Sequence, residues 1–80
     1  MSLKGLYAIT DEYLTPYNIL NEMVEKALQN GIKVLQFRDK KLTDIEAEPY
    51  CRDLQALCKK YNCLFIIDDR PYLADKINAD

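Results

Sequence analysis

The segment Val34-Leu-Gln-Phe-Arg-Asp-Lys40 decides the fold, because an apolar run turns polar within it at every second position. Side chains of a β-strand alternate between the two faces of a sheet, so Gln36, Arg38 and Lys40 share one face, and Leu35 and Phe37 share the other. An amide followed by two cations suits a site that hydrogen-bonds a flat polar ring and holds a phosphate chain beside it. The segment therefore predicts a ligand site at the mouth of a strand.

A second polar cluster, Asp68-Asp69, follows a second apolar run, Leu64–Ile67. Carboxylates at a strand end, near a row of cations, indicate phosphate chemistry with a bound cation. The chain contains no histidine and no CxxC spacing, so a zinc site would lack its usual ligands, and any metal should be hard and oxygen-bound. The three cysteines, two of them seven residues apart at helical spacing, are expected to be buried thiols.

Composition limits the class of protein. Eighty residues, 49% of them apolar, provide one modest core and therefore one domain. The 11 basic and 13 acidic side chains give a net charge of −2, which leaves no basic excess for a nucleic-acid backbone. No apolar run approaches the roughly 20 residues of a membrane span, and the first five residues lead into a strand rather than a signal sequence. We expect no nucleic acid and no membrane as partners, and a cytoplasmic location.

Apolar strands alternate with helical patterns along the chain. Strands are predicted at residues 5–10, 33–38 and 64–67, and helices from Thr15-Pro16 to Asn30-Gly31, from Thr43 to Asn62, and over residues 70–77. Thr15 is the predicted cap of the first helix, and Thr43 with Glu46 forms a possible capping box for the second. Because Pro49 deletes a backbone hydrogen bond inside a helix, the second helix is either kinked there or begins near it.

This alternation predicts a parallel sheet with right-handed crossovers and all helices on one side. The other sheet face is then uncovered, as in the interior of a closed barrel, which needs about 250 residues. The predicted fold class is α/β: a parallel βαβαβ(α) segment of a TIM (β/α)8 barrel, about the first three strands, with its site at their carboxyl ends. Two unpaired edge strands and an open apolar face should lead the chain to self-associate as a homo-oligomer.

The motifs Leu6-Tyr-Ala-Ile-Thr-Asp11, Leu35-Gln-Phe-Arg-Asp-Lys40 and Ile66-Ile-Asp-Asp-Arg70, followed by Leu73-Ala74 and Asn78-Ala-Asp80, resemble in order and spacing the amino-terminal third of thiamine phosphate synthase. The resemblance covers nearly all of the chain. It implies a transferase of thiamine biosynthesis on a (β/α)8 barrel, which joins hydroxymethylpyrimidine pyrophosphate to thiazole phosphate and releases pyrophosphate with Mg²⁺. Residues 1–80 would then be the amino-terminal part of one truncated barrel domain.

The resemblance also implies roles for single residues. Gln36 matches the residue that hydrogen-bonds the aminopyrimidine, and Arg38 and Lys40 match ligands of its pyrophosphate. Asp69 matches a magnesium-binding aspartate, and Tyr7 matches a tyrosine of the pyrimidine pocket, although a first-strand tyrosine is as often core as pocket wall. No catalytic side chain is assigned.

Asp68 departs from the family pattern, which usually has a substrate-binding asparagine there. A carboxylate repels phosphate unless it is protonated or bridged by a cation, so phosphate affinity could fall or metal affinity rise. The chain also stops before the family's second metal aspartate, a later active-site lysine and the loops for the thiazole phosphate.

Two alternatives stay open besides the synthase. One is a thiazole tautomerase of the same barrel family, which does not need Gln36, Lys40 and Asp69. The other is a non-catalytic fragment that associates with itself. For the polar strand ends themselves, the plain alternative is a solvated strand end followed by a helix cap with a local ion pair.

Overall fold

The computed structural model of the protein describes residues 2–12 and 15–80. Its strands are β1 (Ser2–Lys4), β2 (Tyr7–Thr10), β3 (Val34–Phe37) and β4 (Leu64–Ile67). Its helices are α1 (Leu20–Gln29), which a 3-10 turn at Tyr17–Ile19 precedes, α2 (Asp44–Lys60) and α3 (Pro71–Lys76).

The strands form one sheet in the order β1-β2-β3-β4, with β2, β3 and β4 parallel. Alternate strand residues point to a core that all three helices share, which confirms the predicted parallel arrangement with helices on one side. The buried strand residues are Ala8, Thr10, Leu35, Phe37, Phe65 and Ile67. The opposite face carries Tyr7, Ile9, Val34, Gln36, Leu64 and Ile66, which are half-buried or exposed.

The antiparallel strand β1 was not predicted, and it covers the outer edge of β2. The expectation of an unpaired edge at the first parallel strand is therefore wrong. A two-residue turn joins β1 to β2, and its first residue, Gly5, has φ of +64°, as hairpin turns that begin with glycine require. This turn takes up Gly5 and Leu6, so β2 begins at Tyr7 rather than at residue 5.

The prediction that Thr15 caps the first helix is wrong. Thr15 is 2% exposed, and its hydroxyl is buried without a hydrogen-bond partner among the described residues. Its backbone N–H donates to the Asp11 carbonyl at 2.8 Å, which closes a turn before the helix. The chain then passes through the 3-10 turn, so α1 begins at Leu20.

The capping box of α2 is confirmed. The Thr43 hydroxyl accepts from the Glu46 N–H at 3.1 Å, and the Glu46 carboxylate accepts from the Thr43 N–H at 2.9 Å. These bonds lower the pKa of Glu46. The alternative that α2 begins near Pro49 is wrong, because Pro49 lies inside the helix. The bond that Pro49 deletes would have reached the carbonyl of Ile45, which is 85% exposed and lies where water can hydrate that carbonyl.

All three cysteines are buried free thiols, as expected. Burial raises the pKa of Cys51 and of Cys58 to about 12 in each case. Cys58 lies in the last turn of α2 and Cys63 directly precedes β4. Between them Asn62 has φ of +56°, and the Cys63 N–H donates to the Cys58 carbonyl at 2.8 Å. Within the part of the chain that the structure describes, no helix is long and apolar enough to cross a membrane.

Candidate functional site

The carboxyl ends of β3 and β4 bring the two predicted polar clusters together. Strand pairing continues one residue past β4, because the Asp68 N–H donates to the Phe37 carbonyl at 2.8 Å. This bond places Asp68 beside Arg38, the residue that follows β3, and Asp68 Oδ2 lies 4.0 Å from Arg38 Nε. Both side chains remain partly exposed, at 34% and 47%, so a ligand can reach them.

Tyr7 and Gln36 meet on the open face of the sheet. The Tyr7 hydroxyl donates to Gln36 Oε1 at 2.5 Å, across the pair of parallel strands β2 and β3. This bond fixes the orientation of the amide and leaves its Nε2 N–H groups as donors for a ligand. The structure therefore places Tyr7 on the open face of the sheet rather than in the helix-covered core.

The chain reverses direction after β4 through a strained turn. Asp69 has φ of +58°, a left-handed conformation that aspartate tolerates better than most residues, and Pro71 then starts α3. Asp68 and Asp69 line a cavity of about 320 Å³ together with Lys40, Asp39, Asp44 and Arg70. The cavity thus brings one predicted cation and both predicted carboxylates together, whereas Gln36 and Tyr7 lie outside its lining.

The β3–α2 loop, residues 38–43, carries Lys40 and is held by acidic side chains. Four successive backbone N–H groups donate to three carboxylates. The Lys40 N–H reaches Glu12 at 3.3 Å, those of residues 41 and 42 reach Asp39 Oδ1 at 2.8 Å each, and that of Thr43 reaches Glu46 at 2.9 Å. The loop backbone is therefore fixed while the Lys40 side chain is exposed.

Sequence reasoning missed the buried polar network behind this loop. Asp39 is 6% exposed and accepts from the Tyr17 hydroxyl at 2.5 Å. Arg70, with only 10% of its side chain exposed, donates to the Asp39 and Leu42 carbonyls at 2.8 and 2.6 Å and to Asp44 Oδ1 at 2.7 Å. The sequence did carry a signal for the burial of Asp39. Counting in steps of two along the strand, Asp39 follows Leu35 and Phe37, which are both buried, so strand alternation predicts the same face for all three.

The network also shifts proton affinities. Burial alone would raise the pKa of Asp39, but the bond from Tyr17, the two backbone N–H groups and the nearby Arg70 charge together lower it below its usual value. Burial, and then the bond to Asp39, raise the pKa of Tyr17. Asp39 is therefore an ionised carboxylate, and Tyr17 a neutral donor, at neutral pH.

Residues 2–12 and 15–80 contain no group of three or more Asp, Glu, Cys or His side chains arranged to hold a metal ion. Four aspartates line the cavity with Lys40, and two of them, Asp39 and Asp44, are paired with Arg70, which leaves Asp68 and Asp69 as the candidate donors. Two carboxylates match the small protein share that Mg²⁺ takes when phosphate oxygens and waters complete its octahedron.

Comparisons with known proteins show the family of this chain. A family model described as thiamine monophosphate synthase matches residues 6–80. The thiamine-phosphate synthase of Alcanivorax borkumensis is 47% identical over 78 residues, which make up 98% of this chain and 36% of that protein. The thiamine-phosphate synthase of Marinobacter nauticus is 43% identical over 75 residues, covering 94% of this chain and 34% of that protein.

The solved structure of thiamine phosphate pyrophosphorylase from Pyrococcus furiosus superimposes with a TM-score of 0.83 at 35% identity, over 92% of this chain and 35% of that one. This likeness confirms the predicted fold class, a parallel α/β segment of a barrel-type fold. The chain spans about a third of the length of these relatives. Because the family model covers nearly the whole chain, this protein belongs to the thiamine monophosphate synthase family.

Proposed function

We propose that residues 1–80 form the amino-terminal part of a single (β/α)8-barrel domain, and that this part binds hydroxymethylpyrimidine pyrophosphate for a thiamine phosphate synthase. The whole reaction joins the pyrimidine to thiazole phosphate and releases pyrophosphate. Gln36 and Tyr7 would contact the pyrimidine, Arg38 and Lys40 the pyrophosphate, and Asp69 the metal. The 80 residues alone would hold only part of the catalytic site.

The convergence of two cations with two carboxylates at one sheet edge, beside an oriented amide, carries this proposal. Departure of pyrophosphate builds negative charge, and fixed cations aimed at that charge lower the barrier. Arg38 can form two parallel hydrogen bonds to a phosphate group, and Lys40 supplies a point charge from the loop. The Nε2 donors of Gln36 suit the acceptor nitrogens of an aminopyrimidine.

Mg²⁺ fits the carboxylate side of this arrangement. Asp69 would be a direct ligand, and Asp68 would either join it or face the pyrophosphate through the ion. Bound there, the ion would neutralise charge on the leaving pyrophosphate. Lys40 and Arg38 would bind the phosphate oxygens that the ion leaves free, and Gln36 would orient the ring.

Isothermal titration of the chain with hydroxymethylpyrimidine pyrophosphate, with and without Mg²⁺, tests the proposal. We expect Mg²⁺-dependent binding that Arg38→Ala weakens by about tenfold or more, because a charge-assisted hydrogen bond contributes about 1.5–3 kcal/mol. Gln36→Ala should weaken the binding of hydroxymethylpyrimidine pyrophosphate but leave the binding of inorganic pyrophosphate unchanged. Lys59→Ala, an exposed change on α2, is the matched control.

The outcomes separate the alternatives. Loss of binding in Arg38→Ala but not in Lys59→Ala supports a pyrophosphate site. Equal effects of Gln36→Ala on both ligands would refute its role in reading the ring. Binding of a thiazole phosphate instead, with no response to Gln36→Ala or to Mg²⁺, would favour the tautomerase.

Self-association is a second proposal, supported by the open sheet face. Leu64 is 46% exposed on that face, beside half-buried Val34 and Ile66, and half-buried Ile9 lies on the other side of Gln36. Exposed apolar surface of this kind commonly marks an interface. Sedimentation equilibrium should show a concentration-dependent dimer or larger species that Leu64→Glu disrupts, whereas a monomer at all concentrations would refute the proposal.

A further inference from the structure

Arg70 lies between the two halves of the proposed site. It follows Asp69 directly and precedes Pro71, the first residue of α3. Its guanidinium does not extend towards solvent but turns under the β3–α2 loop, where only 10% of the side chain is exposed. A buried charge is costly unless its hydrogen-bonding groups are satisfied, so its partners should matter for the arrangement around it.

Those partners bracket Lys40. Nη2 donates to the carbonyls of Asp39 and Leu42, on either side of the lysine, and lies 3.7 Å from Asp39 Oδ1. Nη1 donates to Asp44, the first residue of α2. Asp39 Oδ1 in turn binds two N–H groups of the same loop. One guanidinium therefore fixes both ends of the short segment that presents Lys40.

We propose, on the basis of the proposed function, that Arg70 is a positioning residue that sets the placement of Lys40 relative to Asp69. The guanidinium donates to the loop carbonyls and to Asp44, so its effect on a bound ligand would be indirect. Its backbone continues the turn that presents Asp69, and its side chain holds the loop that presents Lys40. Lys40 and Asp69 would have to reach the same metal-bound pyrophosphate, so a small displacement of either group would be costly.

The chemistry of the side chain explains why arginine is needed. The planar fork of a guanidinium reaches acceptors in several fixed directions at once, as it does here with two carbonyls and one carboxylate. A lysine would keep the charge but could not hold the same three acceptors in the same geometry. Arg70→Lys therefore separates positioning from charge.

A double-mutant cycle tests the inference, with inorganic pyrophosphate and Mg²⁺ as the probe. We expect Arg70→Lys to weaken magnesium pyrophosphate binding about tenfold. In a Lys40→Ala background the same change should weaken it by less than about twofold, since the group that Arg70 positions is already gone. Arg52→Ala, which removes an exposed arginine paired with Glu48 on α2, is the control and should leave the dissociation constant unchanged.

Equal effects of Arg70→Lys in both backgrounds would overturn the inference, because a general structural role gives additive losses. If Lys40→Ala alone leaves pyrophosphate binding unchanged, the proposed function of the site fails as well. A measurement without ligand gives an independent check. Amide hydrogen exchange of residues 41 and 42 should accelerate in Arg70→Lys, and unchanged protection would overturn the inference regardless of binding.

Asp44→Ala serves if Arg70→Lys reduces the folded fraction. It removes only the outer carboxylate partner of Arg70, whose side chain is 44% exposed, and leaves the two carbonyl bonds in place. We expect a loss of about twofold to threefold in pyrophosphate affinity, which Lys40→Ala should again suppress. A loss that persists in the Lys40→Ala background would count against the inference.

Discussion

Asp68→Asn should raise pyrophosphate affinity without Mg²⁺, and with Mg²⁺ it should raise that affinity less or lower it. Asp68 Oδ2 lies 4.0 Å from Arg38 Nε, and both side chains are partly exposed. Two unit charges at this distance interact by about 1 kcal/mol in water, near the upper end of measured exposed ion pairs. A pyrophosphate entering beside Arg38 would meet repulsion of a similar size from the same carboxylate.

The substitution removes both the attraction between Asp68 and Arg38 and the repulsion between Asp68 and the incoming pyrophosphate. Arg38 no longer has a competing partner, and the incoming anion no longer faces a like charge, so the gain without metal should be about 1–2 kcal/mol. This corresponds to a dissociation constant for pyrophosphate that is about 5 to 30 times lower. With Mg²⁺ the gain should shrink or reverse, because one of two candidate carboxylate ligands is lost.

Isothermal titration of inorganic pyrophosphate at low ionic strength, with and without Mg²⁺, measures both effects. Asp53→Asn provides the control, because it makes the same change in net charge on the exposed face of α2. Equal shifts in the two variants would mean that only net charge matters. Weaker binding by Asp68→Asn in the absence of Mg²⁺ would refute the electrostatic reasoning.

Three further predictions concern stability and reactivity. Pro49→Ala should raise the free energy of unfolding by about 1–2 kcal/mol, and Tm by roughly 5–10 °C, because it restores a backbone hydrogen bond inside α2. Folding lowers the pKa of Asp39 below its ordinary value of 3.8. The ionised Asp39 therefore contributes its full stabilisation above pH 3.8 and loses it as the pH falls through the folded pKa. Asp39→Asn should flatten the acid side of the curve of unfolding free energy against pH. The buried thiols of Cys51 and Cys58 should react slowly with a disulfide reagent in the folded protein and rapidly in denaturant.

Each of these predictions has a control. Thermal unfolding of Pro16→Ala should change little, since Pro16 precedes the 3-10 turn and no helical bond is restored there. Acid titration of Asp53→Asn should keep the wild-type profile, and an unchanged profile in Asp39→Asn would contradict the role given to that carboxylate. Labelling of either buried thiol within the mixing time, in the folded protein, would contradict their burial.

Local chemistry made several elements predictable. The pair Thr43 and Glu46 is a complete signal for a helix start, and the structure has both of its hydrogen bonds. The apolar run Leu64–Ile67 coincides with the strand β4, which begins and ends at the same residues. Strand parity places Gln36 on the open face of β3, whereas Arg38 and Lys40 lie in the loop that follows this strand. Arg38 lies near Asp68 because β3 and β4 are parallel neighbours.

Other features depend on contacts between distant segments. The hydroxyl of Thr15 could have capped a helix, but the side chain is buried, and the signal for a cap says nothing about burial. The strand β1 has only three residues and exists through its pairing with β2. The partners of Arg70 lie 26 to 31 residues away in the sequence. Sequence alone therefore indicates only a local ion pair between Arg70 and the aspartates that precede it.

The acidic capping of the β3–α2 loop has a consequence for how this protein would hold an anion. Many phosphate sites offer a row of free backbone N–H groups, whose dipoles are fixed and indifferent to substitution. Here the N–H groups of residues 40–43 already donate to carboxylates, so the attraction of this loop to phosphate must come from its side chains. Recognition of this kind is sensitive to ionic strength, to acylation of Lys40 and to single substitutions, and it can be retuned without altering the path of the backbone.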